Sequence, residues 1–518
     1  MNSKDRLLIK QLAMNQSSFP VFIYHNQKQL LIAIAVTVFQ FIIFKSFYPY
    51  PDFYPDSLQY ISAASQNLDI NFYPIGYSKF LLYFHQITAS ATALVGFQYF
   101  FLELSSLYFF LTVRYLFSPQ KLTQTILFGF FFLNPLFIYL SNHVTSDAIF
   151  AALSICWMTN LLWIFHSPRS VRLFINAILL FCCFTIRNNA YYYIAISTIE
   201  FVISKGTVKY KLVGMIFPLL FVLPFIFLTQ TKCEELTGTK QYSLFTGWQL
   251  SNNALYMYKH IQVDSSALPS ASSRELNRLS RTYFDDTGPI LDTILPNFEG
   301  NFFIKASMSP LKQYLSLHYH TTNYLSLLKA WANASEKYNE YGKWLIQRHP
   351  LAYFQYFVLP NIRNYLLPPM EKLSKYNNNV DTMSQTIQNW FQYKTPKIVA
   401  TSWIVQNQIL FLFPYLFFFL NILLFGLTLF LFLKRKGLVL SSETKLLLLL
   451  GSSFLLFNFI FCICTTIIVL RYEFFPMIMA LTLPLLLLEI LDNRNKSANS
   501  SISNQIISLK IQAYAESN

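Results

Sequence analysis

The chain predicts an all-α polytopic membrane protein, and three observations carry that expectation. Only 12% of its residues are charged, where soluble domains carry about a quarter. Hydrophobic residues make up 54%, with 53 Phe and 33 Tyr among them. Apolar runs of about 20 residues, enough to cross a bilayer as a helix, recur along most of the sequence.

The first run, 30–44, lies behind Lys4, Arg6, Lys10 and Lys28 and lacks a small-residue cleavage site. It reads as an uncleaved membrane helix rather than a signal peptide. Segments long enough to span, or nearly so, are 29–47, 90–117, 122–141, 144–165, 171–186, 189–204, 211–229, 404–433, 445–470 and 473–491. The expected bundle has about 10–11 transmembrane helices, the pair at 171–186 and 189–204 being short. Its expected parts are a transmembrane module 1–229 with a first external loop 48–88, an external helical domain 230–403, C-terminal transmembrane helices 404–493 and a cytoplasmic tail 494–518.

Charge sets the orientation. With the N-terminus inside, the cytoplasmic pieces hold 18 basic residues, from Lys4 to Lys510. Short connections on the other side hold four: Lys45, Lys79, Arg187 and Arg471. Basic residues collect on the cytoplasmic side, so both termini are expected inside and the insertion outside, in a bacterial inner membrane. The same rule accounts for the net charge of +15 without nucleic acid, since no basic block with interleaved aromatics occurs. Five of six cysteines fall in apolar runs and Cys233 lies alone in a predicted loop, so neither a disulfide framework nor a zinc spacing is present.

Within the insertion, 241–260 and 324–347 have helical spacing. The aromatic stretch 350–367 contains Pro360 and Arg363, which disfavour burial in lipid; it reads as an interfacial or re-entrant helix. In the first loop, 57–68 and 69–85 are amphipathic and should lie in the membrane interface.

Polar residues gather at the outer helix ends: Asp56 after the first span, His143 and Asp147 at the next outer turn, Arg187, Asn188 and Asn189 between the short spans, and Arg471, Tyr472 and Glu473 before the last. Ionisable groups at membrane depth are costly and mark substrate or ion paths. Each also has a plainer role: Asp56 as N-cap of 57–68, Asp147 as cap of the following helix, Arg187 and Arg471 as side chains reaching to headgroups, His143 as a turn residue. Their shared side is the stronger signal, and it predicts one polar cavity at the outer face.

An acid in the first external loop, followed by a Tyr-containing amphipathic helix and the turn "PIGY" (74–77), resembles the GT-C membrane glycosyltransferases, among them protein O-mannosyltransferases, lipid A aminoarabinose transferases and bacterial mannosyltransferase-like members. "NPLFIYLSNHVTSDAIFAAL" (134–153), "LFTGWQLSNNALYMY" (244–258) and "LRYEFFPMI" (470–478) are similar to segments of that superfamily. The chain departs from the Asp-Glu pair of the O-mannosyltransferases with Asp56-Ser57, and from the Glu-Lys-Pro run of the aminoarabinose transferases with Phe72-Tyr73-Pro74. The resemblance implies a GT-C-like bundle that moves a sugar from a polyprenyl-phosphate donor to a lipid, glycan or protein acceptor outside the membrane. It places Asp56 at the catalytic acid and Asp147 at the hairpin acid, and leaves a divalent metal, Mg or Mn, open.

The chemistry fits these residue types. Displacing a polyprenyl phosphate needs a base for the acceptor hydroxyl and cations for the departing phosphate. Asp56 suits the first task and Arg471, Arg187 and Lys79 the second, Arg because its planar fork matches phosphate oxygens. Attack opposite the leaving group would invert the sugar. His143, Asn188, Tyr472 and Glu473 are further candidates for the cavity. The rival readings are an O-antigen polymerase or ligase, in which His318 and His320 would matter, and a lipid or polysaccharide transporter, which would place its polar groups near the midplane between internal repeats.

Overall fold

The computed structural model describes residues 18–53, 55–295, 300–433, 442–465 and 467–492. Lys4, Arg6, Lys10, Lys434, Arg435, Lys436 and the expected tail 494–518 lie outside the described residues. Eight helices are long and apolar enough to cross a membrane: Gln27–Phe47, Ala91–Phe117, Lys121–Ser141, Asp147–His166, Val208–Thr237, Val405–Leu433, Thr444–Thr465 and Phe474–Asp492. The expected count of about 10–11 is thereby reduced among the described residues. The two short spans become Ser170–Ile186 and Tyr191–Ile203, 17 and 13 residues long, separated by a single 3-10 turn at Asn188–Ala190. Among the described residues there is no strand, only isolated bridges at Asp52–His143 and Thr382–Lys397.

Exposure follows from the solvent these helices are built for. Gln27–Phe47 and Val405–Leu433 leave Phe39, Ile42, Phe425 and Leu433 exposed, as helices facing lipid do. Ala91–Phe117 and Asp147–His166 are mostly buried in the centre of the bundle. The helix starting at Val208 runs on to Thr237, so Cys233 sits in a buried helical turn and not in a loop.

The insertion packs in two parts. Helices Thr246–Leu255, Ala271–Ile294, Pro310–His318 and Tyr324–Arg348 enclose a core of Trp248, Leu276, Leu311, Tyr338 and Tyr341. Ile70 and Phe72 of the first loop enter that same core, and Tyr324 Oη donates to Asn71 Oδ1 at 2.7 Å, so loop and insertion form one body. The second part, from Phe357 to Ile398, joins the transmembrane core, where Tyr376 packs against Tyr48. The stretch 350–366 is helical throughout and widens to a π-turn at Phe354–Val358, just before Pro360. A proline has no N–H for the helical ladder, and a widened turn accommodates the lost bond. This helix packs along Thr444–Thr465, with the Tyr365 hydroxyl accepting from Asn458 Nδ2 at 3.1 Å and Asn361 Nδ2 reaching the Ile463 carbonyl at 3.4 Å.

The crossing of Thr246–Leu255 with Tyr324–Arg348 depends on two glycines. A Cβ at Gly247 would lie 1.8 Å from the Ser335 carbonyl oxygen, and one at Gly342 would lie 2.5 Å from the Leu250 carbonyl carbon. Both neighbours are backbone and cannot swing aside. Gly247→Ala should therefore destabilise the protein by about 1–3 kcal/mol or more, the usual cost of overpacking. Gly426→Ala, whose Cβ would meet nothing within 4 Å, serves as the control. Thermal unfolding in detergent checks this, and equal Tm values for the two variants would contradict the crossing.

Candidate active site

The site is assembled from the ends of elements. Asp56 lies in the first turn of the helix Pro55–Ser65, one residue inside its start, and is not an N-cap of 57–68. Asp147 opens Asp147–His166, Arg187 terminates Ser170–Ile186, and Arg471 occupies the 3-10 turn Leu470–Tyr472. The four line one cavity of about 610 Å³, together with first-loop and insertion residues.

Arg471 is the centre. It is 6% exposed, and its Nη1 donates to Asp147 Oδ2 at 2.9 Å, its Nη2 to Asp56 Oδ2 at 3.2 Å and its Nε to Glu371 Oε2 at 3.3 Å. Arg187 Nη1 donates to the other oxygen of Asp147, whose Oδ2 also accepts from Thr145 Oγ1 at 2.7 Å. Asp147 is thus buried and fully engaged. Its chemistry is that of an anchor for two guanidinium groups, and it is placed to position them. The Tyr472 ring lies under both, 4.1 Å from the Arg187 guanidinium carbon and 4.5 Å from that of Arg471.

Asp56 has a different setting. Its Oδ1 accepts from Tyr73 Oη at 2.9 Å and its Oδ2 from Lys372 Nζ at 2.8 Å. Burial works to raise its pKa, but the Lys372 and Arg471 charges outweigh burial and hold the carboxyl well below the usual carboxylate range. Burial, reinforced by the Asp56 charge, pushes the Tyr73 phenol well up, so its hydroxyl remains a donor.

Three of the residues expected at the site stand elsewhere. Lys79 is turned away from the cavity, because Asp69 and Asn67 on the same loop take its ammonium at 2.7 and 2.9 Å. His143 is buried beside Asp52, with Nε2 3.4 Å from Oδ2, in a link where Asp52 N donates to the Asn142 carbonyl at 2.9 Å. Glu473 is fully buried behind the site, its Oε2 accepting from Asn458 Nδ2 at 3.1 Å; the turn at Leu470–Tyr472 aims its neighbours at the cavity and this residue into the bundle. Asn188 and Tyr472 do line the cavity. His318 pairs with Glu275 at 2.9 Å on an exposed surface, and neither it nor His320 lines the cavity.

Sequence reasoning did not find Tyr73, Lys305, Glu371 or Lys372. Lys305 Nζ donates to Glu371 Oε1 at 2.9 Å, and Glu371 takes a left-handed φ of +48° to reach it and Arg471. A signal existed in the adjacent opposite charges one residue beyond Pro368 and Pro369, after an apolar, aromatic stretch. As for a metal, among the described residues no group of three or more His, Cys, Asp or Glu is placed to hold one. Asp56, Asp147 and Glu371 are each neutralised by Arg or Lys, so this donor set does not fit a Mg or Mn ion.

Removing Arg471 would take a partner from the buried Asp147 and from the half-buried Asp56 and Glu371. Arg471→Gln should cost about 3–5 kcal/mol, as breaking a buried ion pair does. Lys79→Ala, at a half-exposed pair, should stay within about 0.5 kcal/mol. Thermal unfolding of both variants checks this, and comparable losses would contradict the central role of Arg471. No protein-family model, no curated protein and no solved structure matches the chain.

Proposed function

We propose that the protein is a membrane glycosyltransferase of GT-C type, moving a sugar from a polyprenyl-phosphate donor to an acceptor hydroxyl at the outer membrane face. The observation that carries this reading is one carboxylate, Asp56, set against Arg471 and Lys372 in a cavity at the ends of membrane helices. Five cations and three carboxylates line that cavity, a balance that suits a phosphate-bearing ligand. Phe461 and Ile467 on its wall suit the first units of a polyprenyl chain.

In this reading the acceptor hydroxyl oxygen attacks the anomeric carbon. The bond from that carbon to the phosphate oxygen breaks, and polyprenyl phosphate leaves with the electron pair. Asp56 takes the hydroxyl proton. Arg471, Lys372 and Arg187 hold the leaving phosphate, where fixed donors in a dry site are worth most. A phosphate between Arg471 and Lys372 would also draw these cations away from Asp56, raising the proton affinity of a carboxylate they otherwise keep low. Tyr73 orients that carboxylate through its hydrogen bond.

Asp56→Asn should lower transfer by about 100- to 10,000-fold, the usual range for a general base. The assay is transfer of radiolabelled sugar from a panel of polyprenyl-phosphate sugars in membranes, with thermal unfolding of the same variant measured beside it. Full transfer by the Asn variant would overturn Asp56 as base. Absence of transfer by the wild-type chain from every donor would overturn the reading itself.

A further inference from the structure

Four of the five cavity cations are taken up by carboxylates: Arg187 by Asp147, Lys305 by Glu371, Lys372 by Asp56, and Arg471 by all three. Among the described residues no carboxylate pairs with the fifth, Lys312. It stands on the insertion wall, half-buried, in the helix Pro310–His318. Its Nζ lies 4.8 Å from the Trp331 ring centroid and 5.1 Å from that of Trp248. Burial pulls the ammonium below its ordinary value, and no acidic neighbour restores it.

The rings around Lys312 form a rigid shelf. Trp248 and Trp331 stack at 3.6 Å and 14°, Trp248 Nε1 donates to the Trp331 carbonyl at 3.1 Å, and Phe245 stacks on Trp331 at 6.1 Å and 24°. Phe245 and Trp331 line the cavity, while Trp248 is fully buried behind them. Aromatic faces hold the apolar face of a sugar ring, and the stack fixes where the ammonium sits. An ammonium has three donors and no acceptor, and its charge favours an anionic acceptor over a neutral one.

We propose that this wall is a second sugar subsite selective for an acidic ring, which packs on Phe245, backed by Trp331, and pairs its carboxylate or phosphate with Lys312. The subsite rests on the transferase reading only in naming its occupant, an acidic acceptor. It is separate from the Arg471 cluster, whose cations already have carboxylate partners.

Tryptophan fluorescence of the full chain in nanodiscs, titrated with methyl β-D-glucuronide, D-glucose 6-phosphate and methyl β-D-glucoside, tests it without any transfer step. At least one acidic sugar should bind roughly tenfold tighter than the neutral one, the value of one added charge-assisted hydrogen bond. Preference for the glucuronide identifies a carboxylate ligand, and preference for the sugar phosphate identifies a phosphate. Lys312→Gln should abolish the preference and Lys312→Arg should retain it. Equal affinity for all three sugars, no saturable binding, or a preference that survives Lys312→Gln would overturn the subsite. A subsite that fails leaves transfer to neutral acceptors untouched, and a transferase reading that fails leaves the binding ratio in place.

Discussion

The Arg471 guanidinium joins four parts of the chain through its three nitrogens. Asp56 comes from the first loop, Asp147 from the turn between Lys121–Ser141 and Asp147–His166, Glu371 from the end of the insertion, and Arg471 itself from the turn before the last helix. Taking such charges out of water costs several kcal/mol per ion, and mutual attraction offsets this only when every partner is in place. The cluster therefore contributes less to net stability than to uniqueness. A fold that misplaces any one of these elements weakens the compensation of the charges around Arg471.

That constraint accounts for one departure from easy backbone geometry and for the bonds that hold the cluster's elements together. Glu371 adopts a left-handed conformation, which disfavours a side chain, and its two oxygens then reach Arg471 and Lys305. The Leu470 amide donates to the Pro369 carbonyl at 2.9 Å, fastening the insertion to the turn that carries Arg471. Asp52 performs the same service nearby: its Oδ1 accepts from the Asn377 amide at 3.1 Å, while Asn377 Oδ1 accepts from the Phe53 amide. These bonds tie the end of the insertion to the turn that carries Arg471 and to the first loop that carries Asp56.

The cavity lies at a seam between two differently built halves. Below it, apolar helices pack largely through Phe, Leu and Ile, and the Arg and Asp side chains that reach the cavity come from helix ends. Above it, the insertion packs through Tyr and Trp, several of which also form hydrogen bonds, as when Tyr338 Oη donates to the Leu311 carbonyl at 2.6 Å. An amphiphile with an apolar chain and a polar head meets both environments at this boundary. The cations at the seam supply the charge that a phosphate or carboxylate head requires.

The sequence alone determined the class of the protein and the gathering of Asp56, Asp147, Arg187 and Arg471. Apolar length is a local property that lipid enforces residue by residue. Charge is driven to helix ends by the same cost, so sidedness could be read from the chain. The helical insertion was likewise legible from spacing, and the amphipathic stretches expected at 57–68 and 69–85 are the helices Pro55–Ser65 and Gly76–Ile87, with 69–75 non-helical. Partner choice was not. Lys79 looked suited to phosphate until Asp69, ten residues away, took its ammonium, and His143 proved to face Asp52. Lys372 reaches Asp56 across 316 positions and Arg471 across 415, separations over which no periodicity carries information. Only the tertiary structure decided these pairings, because an ion pair forms wherever packing brings opposite charges out of water together.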